Sequence, residues 1–103
     1  MQTHSAKRVE IIIEAMMERR LTDALLKAGV TGFTVLPVQG GSGRSGHWTR
    51  AGQVSRAGGM QAVVCIVREE ALDTLLDAAL GVVERHIGVI SVTDCQVLRA
   101  ERF

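Results

Sequence analysis

Charge of one sign is the first thing this chain lacks. Its 12 lysines and arginines almost cancel 11 aspartates and glutamates, leaving a net charge of +1. No global field therefore draws it to nucleic acid or to an anionic membrane. Aromatics are scarce as well, with one Trp, two Phe and no Tyr, which leaves little for a base-stacking surface. Cys65 and Cys95 are the two cysteines and sit in separate apolar stretches, so neither a disulfide framework nor a paired zinc knuckle is expected. No apolar run nears the ~20 residues of a membrane-spanning helix. The polar start, Met1 to Arg8, has no signal-peptide core, so the expected location is the cytoplasm.

What is present is a chain of 103 residues, 47% hydrophobic and 22% charged, which fits one compact domain over 1–103. A domain of this size leaves much of its surface exposed, so self-association would add stability. The near-neutral average hides a local imbalance. Between Asp23 and Glu69 there is no acidic residue, while Lys27, Arg44, Arg50, Arg56 and Arg68 all fall there. Nine of the eleven glycines share that stretch, seven of them at positions 40, 41, 43, 46, 52, 58 and 59. Backbone N–H groups freed by glycine, with fixed positive charge beside them, suit an anion.

The periodicities predict the elements. Val9, Ile11 and Ile13 alternate with Glu10, Ile12 and Glu14, a strand over 8–15, with His4 left in a tail. Leu21, Ala24, Leu25 and Ala28 share one face of a helix over 18–28, which Gly29 stops. A second strand covers 33–39, and Pro37 inside it argues for a sheet edge. Residues 40–59 show neither period and read as one long loop of the functional kind. Met60 to Val67, apolar on both faces, belongs in the middle of the sheet. Leu72, Leu75, Leu76, Ala79, Leu80 and Val83 define a helix over 69–86, Gly88 ends it, and 89–98 is the last strand. The order β-α-β, long loop, β-α-β predicts an α+β, ferredoxin-like βαββαβ sandwich. The face opposite the helices is expected to expose Ile12, Ile90 and Val92, to be covered by another subunit.

Gly41-Ser42-Gly43-Arg44-Ser45-Gly46 matches G-x-G-x-x-G literally, yet no helix follows and no acid lies about 20 residues on, so it is not a dinucleotide fingerprint. A flexible glycine linker is the plain reading. Arg44, His47 and Trp48 favour an oxyanion site instead, since a linker needs neither a fork-shaped donor nor a large aromatic. His47 has no Cys, His or Asp at ligand spacing, so no metal site is expected. Cys65 and Cys95 read as small core residues and Asp94 as a paired structural carboxylate. No nucleophile, base and orienter assemble, so the chain reads as non-catalytic.

Gly29-Val30-Thr31-Gly32-Phe33-Thr34-Val35, followed by Gly43-Arg44-Ser45-Gly46-His47, resembles the strand start and T-loop opening of PII signal proteins. Val67-Arg68-Glu69-Glu70-Ala71-Leu72-Asp73-Thr74 is similar to their strand–helix junction, with Arg68 where proline is usual. The resemblance spans roughly residues 8–99 and implies a homotrimer with adenine nucleotides between subunits. It also implies that the T-loop, here 40–59, reports occupancy to a target protein. Carried over, Gly32 and Thr34 approach the adenine or ribose, and Val64 and Ile66 line the base. Gly40, Gly43 and Arg44 meet the phosphates, with Gly41, Ser42, Gly46, His47 and Gly88 completing that cradle. Arg99 and Arg102 match C-terminal arginines that reach the phosphates from the neighbouring subunit.

The departures shape the expectation. The loop before the last strand is cut to His86-Ile87-Gly88-Val89 and has no lysine, which favours ADP or AMP over ATP. With no tyrosine, the modification of nitrogen-regulatory members cannot occur, and the 2-oxoglutarate ligands have no clear match. The run from Gly40 to Trp48 most resembles the PII-like branch encoded with carboxysome and bicarbonate-transport systems. That branch implies bicarbonate as a second ligand, placed here at Gly41, Ser42, Gly43, Ser45 and Arg50. It further implies a bicarbonate transporter or carboxysome-linked protein as target, and contact with a membrane only through that partner. The alternatives left open are a trimeric ferredoxin-like metal-tolerance protein and a small enzyme acting on a phosphorylated substrate.

Overall fold

The computed structural model describes residues 1–43, 46–49, 59–99 and 101, with residues 43 and 46–49 described by backbone alone. The elements are β1 (His4–Glu14), a 3-10 turn (Ala15–Met17), α1 (Glu18–Lys27), β2 (Thr34–Pro37), β3 (Gly40–Gly43), β4 (Gly46–Thr49), β5 (Met60–Val67), a second 3-10 turn (Glu69–Ala71), α2 (Leu72–Val83) and β6 (Gly88–Val97). Four strands form one antiparallel sheet in the order β2-β5-β1-β6, the ferredoxin-like arrangement expected. Among the described residues no helix is long and apolar enough to cross a membrane.

β1 is central because its alternation feeds a core on one face. Val9, Ile11 and Ile13 are fully buried, and so are Val63 on β5, Leu21 and Leu25 on α1, and Leu75 on α2. Pro37 does lie in the edge strand β2, where a missing N–H breaks no second ladder. α1 ends as the glycine suggested. Gly29 takes φ +94°, its N–H donates to the Leu26 carbonyl at 3.1 Å, and the Val30 N–H donates to Leu25 at 3.0 Å. This is a Schellman cap, with the buried Val30 side chain as its apolar lock.

Several expectations are corrected. His4 is in β1, opposite Val97, because β6 offers a ladder to residues too polar to show a strand period of their own. Ala15 belongs to the 3-10 turn rather than the strand. Residues 40–49 are not a plain loop, since β3 and β4 pair Gly40 with Thr49 and Gly43 with Gly46; three glycines in four positions of β3 hide any alternation. The helix expected over 69–86 is α2 preceded by a 3-10 turn, and Gly88 opens β6 rather than closing the helix. Leu80 is 52% exposed, while Leu75, Ala79 and Val83 are the buried stripe. The largest change concerns the sheet faces. Ile90 and Val92 lie opposite Ile11 and Val9 and so share the helix-bearing face, where Ile90 packs on the core while Val92, on the edge strand, stays 39% exposed. The open face carries Ile12, Val89, Leu36, Val64 and Ile66 instead. A side-chain period of two makes the face depend on register, which β6 alone does not reveal.

Two glycines differ in what they require. A Cβ on Gly29 would meet nothing within 4 Å, so only its left-handed backbone resists a side chain. Gly29→Ala should therefore cost about 1–2 kcal/mol. A Cβ on Gly88 would stand 2.8 Å from Val83 Cγ1 and 3.1 Å from the Ile12 carbonyl. Gly88→Ala should cost about 1–3 kcal/mol through crowding. Denaturant melts of ligand-free protein check both; an unchanged midpoint for either removes its stated cause.

Candidate functional site

The Schellman cap turns the chain out of α1 and anchors it at Val30, leaving Thr31, Gly32 and Phe33 to bridge to β2. That bridge forms one wall of an open cleft of about 610 Å³, completed by Thr34, by Val64, Cys65 and Ile66 of β5, and by Val97, Leu98 and Arg99. Register explains the convergence: Thr34 pairs with Val64, and β5 and β6 flank β1 where Ile66 meets Arg8 and Val97 meets His4. The walls are largely apolar, with two threonine hydroxyls and one guanidinium. Such a lining suits a flat apolar group carrying an anion.

Five of the predicted nucleotide-binding residues thus meet in one place: Gly32, Thr34, Val64, Ile66 and Arg99. A Cβ on Gly32 would meet nothing within 4 Å, so packing within this chain does not require glycine there. Arg99 stands exposed at the mouth, its Nε 3.4 Å from Glu101 Oε1. Sequence reasoning did not name Thr31, Phe33, Cys65, Val97 or Leu98 as lining, although all but Val97 adjoin a residue it did name. Cys65 is buried, and burial pushes its thiol up, which keeps it protonated and poorly nucleophilic near neutral pH. Asp94 accepts from Lys7 across the β1–β6 ladder, the structural pairing expected of it. That hydrogen bond is the main reason the Lys7 ammonium is held above its usual range.

The other predicted residues lie elsewhere. Gly40, Gly41, Ser42 and Gly43 form β3, and Gly46 and His47 are in β4. Gly88 faces Ile13, five residues along β1 from the Arg8 level of Ile66. At about 3.4 Å per residue that separation is roughly 17 Å. β3 lies on the same far side, since β2 runs from Thr34 at the cleft to Pro37 opposite Gln61. At that far end the Glu14 carboxylate holds the turn before Gly88, accepting from the Ile87 N–H at 3.2 Å with His86 Nδ1 at 3.7 Å. Arg44, Ser45, Arg50 and Arg102 lie outside the described residues. Among the described residues no three His, Cys, Asp or Glu side chains converge as metal ligands would.

The family model described as Nitrogen regulatory protein P-II matches residues 6–102. No curated protein matches. The structure is similar to that of CPII, a nitrogen regulatory PII-like protein from Thiomonas intermedia K12 bound to ADP, AMP and bicarbonate. The TM-score is 0.89 at 30% identity, over 99% of this chain and 96% of that one. A chain from Thermus thermophilus described as a PII-like signaling protein superposes with TM-score 0.79 at 26% identity, over 100% and 99% of the two chains. A duf3240 family protein from Shewanella baltica is 13% identical with TM-score 0.67 over 85% and 87%, a likeness of fold alone.

The buried Cys65 thiol should resist alkylation by iodoacetamide near neutral pH in the native protein and react fully once unfolded. Mass spectrometry of the two states checks this, and rapid native labelling of Cys65 would contradict its burial.

Proposed function

This chain belongs to the nitrogen regulatory P-II family, and from that premise we propose that it is a non-catalytic sensor binding ADP or AMP between the subunits of a homotrimer. Bicarbonate is its second ligand. The observation carrying this reading is the separation of its two groups of candidate residues. An apolar cleft with Arg99 at its mouth sits at one end of the sheet, and the glycine-rich hairpin sits at the other. One chain does not bring them to a common ligand, whereas a neighbouring copy can present its hairpin to this chain's cleft. The apolar sheet face with Leu36 47% and Val89 64% exposed supplies a surface for that neighbour. CPII, similar over nearly the whole chain, was seen with ADP, AMP and bicarbonate, which supports the same ligands here.

The cleft takes the adenine and ribose at Gly32, Thr34, Val64 and Ile66, and Arg99 with Arg102 reaches the phosphates. The neighbour's Gly40 to Gly43, Arg44, Gly46, His47 and Gly88 complete the phosphate cradle. Bicarbonate, a planar monoanion, takes amide donors of Gly41, Ser42 and Gly43 with Ser45 and Arg50. Ordering each loop residue costs about 1–2 kcal/mol. A nucleotide that has ordered the start of 40–59 removes part of that cost, so the two ligands couple positively. The ordered T-loop then signals inorganic-carbon status in the cytoplasm to a bicarbonate transporter or carboxysome-linked protein.

Light scattering should give a trimer, and calorimetry should show ADP and AMP binding more tightly than ATP. Millimolar bicarbonate should tighten that binding relative to chloride at matched ionic strength, since screening alone weakens it. A monomer without nucleotide affinity defeats the reading. Bicarbonate with no effect beyond chloride removes the carbon-sensing part alone. Arg44→Ala and Arg99→Ala should each weaken ADP by about 1.5–3 kcal/mol, the worth of a hydrogen bond to a charged group. Arg44→Lys should recover part of the loss, because an ammonium lacks the planar fork.

A further inference from the structure

The layer of two helices covers one face of the sheet and presents its own outer surface to solvent. On α1 that surface carries Arg19, Arg20 and Lys27 with a single carboxylate, Asp23; on α2 and the turn that follows it carries Asp73, Asp77 and Glu84 with a single cation, Arg85. All eight are exposed. Among the described residues none of them forms an ion pair with the neighbouring helix. The layer is therefore split lengthwise into a basic half and an acidic half that do not neutralise each other. Two leucines interrupt the charge, Leu26 on α1 and Leu80 on α2, each 52% exposed.

Helix geometry places these leucines. Ala24 and Val82 line the groove between the helices, a space of about 430 Å³ shared with Arg19, Arg20, Asp23 and Lys27. Leu26 comes two residues after Ala24, and Leu80 two before Val82. Two residues are about 200° of helical turn, so both leucines stand on the outer flanks, away from the groove. α1 follows β1 and α2 follows β5, and since these strands are antiparallel the helices are antiparallel too.

We infer that the helix layer is a self-complementary docking surface for a second copy of this chain. A two-fold axis lying along the groove sets α1 of each copy over α2 of the other. Basic half then meets acidic half twice, and each Leu26 flank comes over the partner copy's Leu80 flank. The other in-plane two-fold, across the helices, would set α1 on α1 and α2 on α2, opposing like charges, so electrostatics selects the first. This surface is on the opposite side of the sheet from the open apolar face, so it remains outside the trimer interface proposed above. The association joins whichever oligomer the sheet face builds and does not depend on nucleotide. Being charge-led, with only small leucine contacts at its two edges, it is weak and salt-sensitive.

The test is light scattering against protein concentration at about 0.02 M and about 0.5 M salt, which span long and short screening lengths. Wild type should form multiples of its basic oligomer at low salt and lose them at high salt. Two charge-reversed variants, Arg20→Glu/Lys27→Glu and Asp73→Lys/Asp77→Lys, stay folded in the basic oligomer because all four positions are exposed; each midpoint drops slightly, since Lys27 and Asp73 complement their helix dipoles. Each alone carries net charge of one sign on both helices, so its self-association should weaken about tenfold or more. Mixed one to one they are complementary again, and the higher species should return. Wild type that shows no higher species at low salt overturns the inference. So does a mixture that fails to associate when both variants are folded, and so does association indifferent to salt and to both variants.

Discussion

Everything in this fold hangs on β1 being hydrogen-bonded along both edges. It pairs with β5 from Lys7 to Glu14 and with β6 from His4 to Ile13, while its odd-numbered side chains Val9, Ile11 and Ile13 are sealed from water. Both helices press on that same face through Leu21, Leu25, Leu75 and Ala79. A slip of one residue on either side would send a neighbour's apolar row to the wrong face. The buried row therefore sets the register, and the register sets everything at the sheet's ends.

One consequence is the division of the candidate site residues. The register that buries Val63 and Cys65 against Val9 and Ile11 leaves Val64 and Ile66 on the open face, beside the Thr31–Thr34 bridge. It also carries the chain away from that cleft along β2 before the glycine-rich hairpin begins at Gly40. Core packing and site division are thus one geometric fact. Gly88 shows the same economy, since its hydrogen side chain is demanded by Val83 and the Ile12 carbonyl before any ligand is considered. The phosphate-cradle place proposed for it is a separate requirement on the same residue.

Much was legible in the residues themselves. The alternation of Val9, Ile11 and Ile13, the Leu75–Ala79–Val83 stripe, the stop at Gly29 and the edge placement of Pro37 are local patterns, and each led to its observed element. The motif around Gly32 and Thr34, with Val64, Ile66 and Arg99, pointed to residues that share one cleft, through resemblance rather than through any period. Less legible were elements with no contrast in their side chains. β3 is three glycines and a serine, and the first residues of β1 are polar, so neither announces a strand.

The sequence by itself determined which segments bury a face, where α1 must stop, and where positive charge gathers without acid to oppose it. These depend on neighbours a few residues apart. Only the tertiary structure decided that Ile90 turns inward while Val89 turns out, that Leu80 stays wet, and that the cleft and the hairpin stand at opposite ends of one sheet. The reason is physical. Strand register and the crowding around a residue are relations between segments far apart in the chain, and no window of consecutive residues contains both partners.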